Sequence, residues 1–318
     1  MKFRNFGKTG WKVSEVGMGF LAFSEHGRPP DSLQAAATVH AGLDSGINLF
    51  DTSDSYGPRR SEEFLGRALI GQRHEVFIAT KVGSIGGRDG EPLSFATPEH
   101  VYLCCDASLH RLRTDYIDFY QCHSRRHSNR DVIIEAFERL RERGKIRSYG
   151  VSSFFTDDVT TFDKHGRCDV VQVPYSVVER DYEADVIALC GERNIGTLVR
   201  GPLAQGVLSG KFSSDSRFND QERMEWNSGE GRRKFLKMVQ SAEILRPLVT
   251  ESRSMAQVSL AFALANPAVS CVIPGAKTPE QARANAAASD VDLSREELDR
   301  IRLISPPAGE SGIRTDPV

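Results

Sequence analysis

Tyr116-Ile-Asp-Phe-Tyr-Gln-Cys-His123 is a short, mainly apolar run, and the stretch 133–140 that follows it places apolar residues at helical spacing. Continuous apolar runs are typical of strands buried on both faces of a parallel sheet. The same order, a strand and then a helix, recurs eight times and predicts a closed (β/α)8 barrel, the TIM barrel of the α/β class. The predicted strands are Glu15–Phe20, Ile47–Asp51, Val76–Lys81, Tyr116–His123, Arg147–Ser152, Val170–Pro174, Gly196–Arg200 and Ser270–Pro274.

Two of the intervening segments have an apolar face at helical spacing, which predicts helices that pack against the sheet. The first face consists of Leu33, Ala36, Ala37, Val39 and Leu43. The second consists of Ile133, Ala136, Phe137 and Leu140, with Gly144 after it in a position typical of a helix C-cap.

The composition is that of an ordinary globular protein: 318 residues, 39% hydrophobic, 26% charged, and a formal net charge of −2. Barrels of this length form one domain, so we expect a single domain over 1–318. The near-neutral charge argues against a nucleic acid or an anionic membrane as partner. The sequence has no apolar run of roughly 18 residues that would span a membrane, and Met1–Lys12 lacks the apolar stretch of a signal peptide.

The six cysteines are scattered along the chain and include no CxxC pair. This spacing predicts neither a metal site nor a disulfide framework, and free thiols fit a reducing compartment. We therefore expect a cytoplasmic protein without a metal.

Two segments depart from the strand and helix pattern. The polar stretch 213–234 predicts a flexible loop that is partly helical. The tail 305–318 has no periodicity and predicts an irregular end of the chain.

Reactive groups of a parallel barrel lie at the carboxyl ends of its strands. Four suitable side chains follow successive predicted strands: Asp51, Tyr56, Lys81 and His123. A phenol ionises near pH 10 unless a nearby cation favours the charged form, and Lys81 can supply that cation while Asp51 orients it. His123 can donate a hydrogen bond to a carbonyl oxygen that gains negative charge.

Each of these side chains alone has a simpler interpretation. An isolated Asp is usually a turn or cap residue, an isolated Tyr packs, and a Lys or His at a strand end is often solvated or structural. Their convergence at one barrel mouth favours a catalytic group.

Asn48-Leu-Phe-Asp-Thr-Ser-Asp-Ser-Tyr-Gly57, Thr80-Lys81 and Gln121-Cys-His123 resemble the signature motifs of the aldo-keto reductase family, and the similarity covers nearly the whole chain. The resemblance implies a (β/α)8 barrel that uses a nicotinamide cofactor without a metal. It implies Tyr56 as general acid/base, Lys81 and Asp51 as its tuning partners, and His123 as the donor that orients the substrate.

The resemblance also implies a cofactor site after strands five and six. Ser152 and Ser153 stand where the family usually has Ser-Asn, and the shorter Ser153 can still donate to the nicotinamide carboxamide. Gln172 corresponds to the residue that contacts the carboxamide, and Tyr175 follows it.

Strand seven leads into a glycine-rich loop, Arg200-Gly-Pro-Leu-Ala-Gln-Gly206-Val-Leu-Ser-Gly210. Its glycines suit a backbone that passes close to a pyrophosphate, and Gly201, Pro202, Leu203, Gly206 and Gly210 are cofactor candidates. The family commonly has an aromatic residue where Arg200 stands. A guanidinium can stack on the nicotinamide or bind its carboxamide, or it can pair with a carboxylate in a structural role.

The segment after strand eight predicts a helix with Thr278 and Gln281 in a capping box and Pro279 at its first position. Such a helix start can bind a phosphate, although an ordinary capped helix has the same pattern. Gln281 and Asn285 lie four residues apart on one face and can reach the adenosine together.

The preference between NADP(H) and NAD(H) depends on few residues. Members of the family that use NADP carry Lys, Ser and Arg where this chain has Gly275, Ala276 and Gln281. Lys277 is the remaining cation for a 2′-phosphate, so the sequence favours NADP(H) and leaves NAD(H) possible.

Loop position makes Phe20, Phe23 and Trp226 candidates for the substrate pocket. The predicted activity is hydride transfer between a nicotinamide cofactor and a small-molecule carbonyl or alcohol. A nucleotide-binding redox sensor or regulatory subunit is the alternative, and the sequence does not decide the oligomeric state.

Overall fold

The computed structural model describes residues 1–23, 32–57, 60–83, 97–123, 129–220 and 223–304, so the expected irregular tail 305–318 lies outside it. In these ranges eight parallel strands form one sheet in chain order, β3 to β10. Parallel backbone bridges from Val16 to Val272 and from Gly19 to Gly275 join the first strand to the last. The predicted (β/α)8 barrel is confirmed. The strands are β1 Phe3–Asn5, β2 Lys12–Ser14, β3 Met18–Gly19, β4 Leu49–Asp51, β5 Phe77–Val82, β6 Ile117–His123, β7 Ile146–Ser152, β8 Val170–Pro174, β9 Gly196–Arg200 and β10 Cys271–Val272.

Helices surround the barrel, most of them between successive strands. They are α1 Ser32–Asp44, α2 Arg60–Ala68, α3 Pro98–Leu112, α4 Arg130–Glu142, α5 Thr156–Phe162, α6 Ala188–Glu192, α7 Gly229–Glu243, α8 Met255–Leu264, α9 Pro279–Ala286 and α10 Arg295–Ile304. In the described ranges no helix is both long enough and apolar enough to cross a membrane.

The antiparallel hairpin of β1 and β2 closes the amino end of the barrel. Between its strands Phe6 is fully buried, and its ring centroid lies 4.5 Å from that of Phe119 in β6. Gly196 makes room for this ring, since a Cβ there would lie 2.2 Å from ring atoms of Phe6. The hairpin was not predicted, and it seals this end of the barrel.

Gly150 keeps β7 and β8 at their normal spacing. It pairs with Val170, and a Cβ at this position would lie 1.7 Å from the Val170 carbonyl oxygen. Gly150→Ala is therefore expected to push the two strands apart and to lower the unfolding free energy by about 1–3 kcal/mol, the usual cost of overpacking. Urea unfolding measures this loss. The control is Gly191→Ala in α6, whose new methyl group would meet only the Ala268 Cβ at 3.1 Å; equal stability of both variants would contradict the prediction.

The apolar face predicted for α4 is confirmed, because Ile133, Ala136, Phe137 and Leu140 are all buried. The face predicted for α1 is partly wrong. Leu33 is 77% exposed and Ala37 is also exposed. The buried side of α1 consists mainly of small residues: Ala35, Thr38, Val39, Ala41 and Gly42. Small side chains let α1 lie close to the barrel, where a Cβ on Gly42 would be 2.8 Å from the Met18 Cε.

The segment 213–234, expected to be a partly helical loop, contains a 3-10 turn over Met224–Asn227 and the start of α7 at Gly229. Its aromatic side chains pack into a buried cluster of Phe212, Phe218, Trp226 and Phe235, in which Trp226 stacks on Phe235 at 5.3 Å. All six cysteines are free thiols.

Candidate active site

A buried ion pair lies at the carboxyl ends of β4 and β5. Lys81 Nζ donates to both carboxylate oxygens of Asp51, at 2.7 and 2.9 Å, and to the Thr52 carbonyl at 2.8 Å. Lys81 is 0% and Asp51 2% exposed. A charge removed from water in this way is tolerated only with a partner, so the barrel places the ammonium at a fixed point.

Tyr56 lies on the loop after β4, and its hydroxyl oxygen is 3.4 Å from Lys81 Nζ. The loop is tied down by Ser61 in α2, whose hydroxyl bonds Thr52 Oγ1 at 2.7 Å. The Tyr56 side chain is half-buried. Its hydroxyl therefore contacts the ion pair while part of the ring remains open to a ligand.

His123, the last residue of β6, completes the group. Its ring centroid is 6.1 Å from that of Tyr56 with the rings nearly perpendicular, and its Nδ1 lies 3.3 Å from Ser53 Oγ. The structure thus brings all four predicted catalytic residues to one end of the barrel.

The proton affinities of Tyr56 and Lys81 are set by burial and by their mutual contact. Burial raises the pKa of the Tyr56 hydroxyl, although Lys81 and Arg200 act in the opposite direction. The sequence predicts that the cation dominates, but in the structure the loss of water around the phenol outweighs it. Burial disfavours the charge on Lys81, but Asp51 and Tyr56 outweigh this effect and raise the pKa of Lys81. At neutral pH the site therefore holds a neutral phenol beside an ammonium.

Gln172 in β8 contacts the ion pair directly. Its Nε2 donates to Asp51 Oδ2 at 2.8 Å, which stabilises the ionised carboxylate. Gln172 was expected to contact the cofactor carboxamide. The bond to Asp51 uses one of the two N–H groups of this amide, so its second N–H and its carbonyl oxygen remain for a ligand.

Two expected cofactor contacts are directed elsewhere. The Ser153 hydroxyl donates to Asp158 Oδ2 at 2.6 Å in this structure, so donation to a carboxamide would require this bond to break and stays a prediction. Tyr175 is 1% exposed and its hydroxyl donates to Glu183 at 2.9 Å, which gives it a packing role in this structure. Ser152, at the end of β7, is buried between His123 and Gln172 in the sheet.

Arg200, at the end of β9, is half-buried and lies close enough to Tyr56 to lower its pKa. Among the residues that the structure describes, it has no hydrogen bond or salt bridge from its guanidinium. With no partner for its guanidinium among the described residues, Arg200 can reach a polar ligand at the rim.

The loop after Arg200 curls through a run of left-handed residues. Positive φ angles occur at Gly201, Ala204, Gln205, Gly206 and Gly210. Ala204 and Gln205 have side chains that disfavour this region, at a cost of about 1–2 kcal/mol each. Pro202 is buried and Leu203 is half-buried beneath the loop. Such curls turn successive backbone N–H groups toward one side, as anion-binding loops do.

A basic cluster lies next to this loop and was not predicted. Burial, Arg223 and Lys277 together lower the pKa of Lys211. Lys211 makes no salt bridge within the described ranges. Lys211 directly follows the glycine-rich loop, and Arg223 forms a salt bridge with Asp220 at 3.0 Å. The sequence does not show that these residues lie near Lys277, because only the fold brings them together.

The start of α9 has the predicted Thr278 cap, but the reciprocal bond of the predicted capping box is not formed. Thr278 accepts from the Gln281 backbone N–H, and Pro279 is the first helical residue. The side chain of Gln281 accepts from the Lys277 backbone N–H at 2.7 Å, and Asn285 donates to the Gly275 carbonyl at 3.3 Å. Both side chains thus hold the 275–278 turn, which limits what they can offer an adenosine.

The three candidates for the substrate pocket are buried: Phe20 is 0%, Phe23 2% and Trp226 4% exposed. Phe20 and Phe23 pack on each other at 5.0 Å, and Trp226 belongs to the aromatic cluster beside α7. Their burial leaves little surface for a substrate to contact, and their place in a substrate pocket stays a prediction.

An α/β barrel with reactive side chains gathered at the carboxyl ends of its strands defines a barrel enzyme. The family model for the aldo/keto reductase family matches residues 15–305, and the chain belongs to this family. It is accordingly an oxidoreductase.

Known proteins of similar sequence and structure extend over nearly the whole chain. The chain is 33% identical over 302 residues to the uncharacterized oxidoreductase YqkF of Bacillus subtilis (strain 168), covering 94% of each. It is 28% identical over 317 residues to the NADH-specific methylglyoxal reductase of Escherichia coli (strain K12), covering 92% of this chain and 95% of that one. An aldo-keto reductase from Klebsiella pneumoniae, solved in complex with NADPH, is 28% identical with a TM-score of 0.77 and covers 100% of this chain and 99% of its own.

Proposed function

We propose that this chain interconverts a small carbonyl compound and its alcohol by reversible hydride transfer with NADP(H), Tyr56 giving or taking the proton. The observation that carries the proposal is the Tyr56 hydroxyl, held 3.4 Å from the ammonium of a buried Lys81–Asp51 pair. The ammonium stabilises negative charge that develops on the phenol oxygen as its proton leaves. His123, whose ring centroid lies 6.1 Å from that of Tyr56, donates to the substrate oxygen that Tyr56 protonates.

The residues at the rim fit a dinucleotide. Arg200 offers a guanidinium next to Tyr56 that has no partner among the described residues. The left-handed loop 201–210 offers backbone N–H groups, and the basic cluster offers positive charge for phosphates. The nicotinamide coenzyme supplies the hydride when it is bound. The chain's own residues orient it, exclude water from the reacting atoms and hold the proton on Tyr56 Oη.

A coenzyme screen tests the proposal. The purified protein is mixed with NADPH or NADH and a panel of aldehydes, ketones and sugars that includes methylglyoxal, and absorbance of the reduced nicotinamide is followed. The reverse reaction is followed with NADP⁺ or NAD⁺ and alcohols. Turnover with at least one pair is expected; coenzyme binding without turnover of any pair would favour the redox sensor.

Lys277 is expected to distinguish the two coenzymes. Because Lys277 lies in the basic cluster at the start of α9, Lys277→Ala should weaken NADPH binding by about tenfold or more, since a hydrogen bond to a charged group contributes about 1.5–3 kcal/mol. NADH binding should change little, because it lacks the 2′-phosphate. Fluorescence titration of both coenzymes measures the ratio, with Lys12→Ala in the hairpin as the control. Equal weakening of both coenzymes would remove Lys277 from the 2′-phosphate site.

A further inference from the structure

Asp54 is a buried carboxyl group two residues before Tyr56 that the proposed reaction does not use. It is 1% exposed, its Oδ1 lies 3.2 Å from Ser53 Oγ, and its Oδ2 has no hydrogen-bond partner among the described residues. It also makes no salt bridge there. A buried carboxylate oxygen without a hydrogen-bond donor lowers the stability of the fold, whereas the carbonyl oxygen of a protonated carboxyl lowers it much less.

The charged groups around Asp54 leave it without a cation of its own. Glu62 in α2 is buried nearby, and its carboxylate accepts from Thr80 at 2.6 Å and from Arg111 in α3 at 2.7 Å. Lys81 in β5 is held by Asp51, and Tyr120 in β6 presents a neutral phenol. Burial and the negative charge of Glu62 raise the pKa of Asp54 to about 7, against the weaker opposing effects of Ser53, Arg111 and Lys81.

Ser53 connects Asp54 to His123. Its hydroxyl oxygen lies 3.2 Å from Asp54 Oδ1, 3.0 Å from Ser55 Oγ and 3.3 Å from His123 Nδ1. The hydroxyl has one proton to donate. If one neighbour accepts that proton, the other two can bond the Ser53 hydroxyl only by donating a proton to its oxygen.

With Asp54 ionised, the Ser53 proton goes to the carboxylate, because that bond is charge-assisted. The proton between Ser53 and His123 must then come from Nδ1, and a neutral imidazole in this state has no proton on Nε2. With Asp54 protonated, Oδ1 donates to Ser53, and the Ser53 hydroxyl donates to Nδ1. A neutral His123 then carries its proton on Nε2, which makes Nε2 a donor.

We propose that Asp54, acting through Ser53, is a positioning residue that selects the His123 tautomer, so that His123 donates from Nε2 only while Asp54 is protonated. The inference rests on the proposed function, in which His123 donates to the substrate oxygen. Carbonyl reduction then requires the neutral carboxyl. As the pH rises through the pKa of Asp54, kcat/KM for reduction falls by up to about tenfold per pH unit.

Asp54→Asn tests this dependence. An amide does not titrate, so whichever of its atoms faces Ser53, the loss of kcat/KM near neutral pH should disappear. The measurement is the pH profile for reduction of the best carbonyl of the panel. The matched control is Asp169→Asn: burial also raises the pKa of Asp169, to about 6, but Asp169 lies at the amino end of β8, so the variant should keep the wild-type profile. A wild-type profile in Asp54→Asn would overturn the proposal.

A second measurement is independent of turnover. NMR of protein with ¹⁵N-labelled histidine, with His123→Gln to assign the signals, reports which ring nitrogen carries the proton. The proton of His123 should move from Nε2 to Nδ1 as the pH rises through neutrality, and Ser53→Ala should abolish this change. A tautomer that does not vary with pH in the wild type would overturn the relay even if carbonyls are turned over. Conversely, a failed coenzyme screen with a tautomer change would refute the proposed function and support the relay.

Discussion

Tyr56→Phe is expected to lower kcat for carbonyl reduction by about 10²–10⁴-fold, the usual contribution of a positioned general acid. The phenol is the neutral proton donor of the site, since burial raises its pKa. Removing one oxygen leaves the Lys81–Asp51 pair with its other bonds, to Thr52 and Gln172. The ring keeps its place beside His123, so coenzyme affinity should change by less than kcat does.

Steady-state kinetics with the best carbonyl of the panel measures kcat, and fluorescence titration measures coenzyme affinity. Tyr116→Phe is the matched control, because Tyr116 precedes β6 at the opposite end of the barrel. Retention of most of the rate in Tyr56→Phe would remove Tyr56 from the proton-transfer step. Loss of coenzyme binding in parallel with kcat would instead assign it to binding.

The strands could be predicted because burial on both faces leaves a continuous apolar run. Val170–Pro174 and Gly196–Arg200 have the predicted bounds. The hairpin of β1 and β2 could not be predicted, since its short polar strands depend on a tertiary contact, the insertion of Phe6 into the barrel. The prediction of the buried face of α1 was wrong for a related reason. The helix packs closely against the barrel with its small residues, and Leu33 lies on the exposed side.

The sequence could predict those residues of the site that lie at the ends of strands. Asp51, Lys81 and His123 occur at successive strand ends, and parallel strands bring their ends together. Side-chain direction within the site could not be predicted in this way. Gln172 turns to Asp51 and Ser153 to Asp158 because each buried carboxylate needs donors, and sequence spacing does not show which donors are near.

The sequence also could not predict how burial and nearby charges together determine the pKa of Tyr56. Lys81 could be recognised as a cation for Tyr56, but the extent to which water is excluded from the phenol depends on the packed structure. The same holds for Asp54, whose Oδ2 has no hydrogen-bond partner among the described residues. The sequence does not show that the nearby Arg111 is bound to Glu62.

Lys81→Met is expected to lower the unfolding free energy by about 3–5 kcal/mol at neutral pH, the cost of leaving one member of a buried ion pair alone. The loss should depend on pH. Burial raises the pKa of Asp51 above its ordinary value, with Lys81 opposing, so removal of Lys81 raises this pKa further. The folded variant therefore favours the protonated carboxyl, and its stability is retained in acid and lost as the pH rises through the pKa of the folded state.

Urea unfolding at mildly acidic and mildly alkaline pH measures this dependence, and Lys12→Met, on an exposed position of β2, should change stability by no more than about 0.5 kcal/mol. The double variant Asp51→Leu/Lys81→Met separates charge from packing. Without the carboxylate it should recover part of the loss at alkaline pH, since replacing a whole buried pair by apolar groups is far less costly than halving it. An equal loss at both pH values would show that the Lys81 stem, rather than its charge, is what the barrel needs at this position.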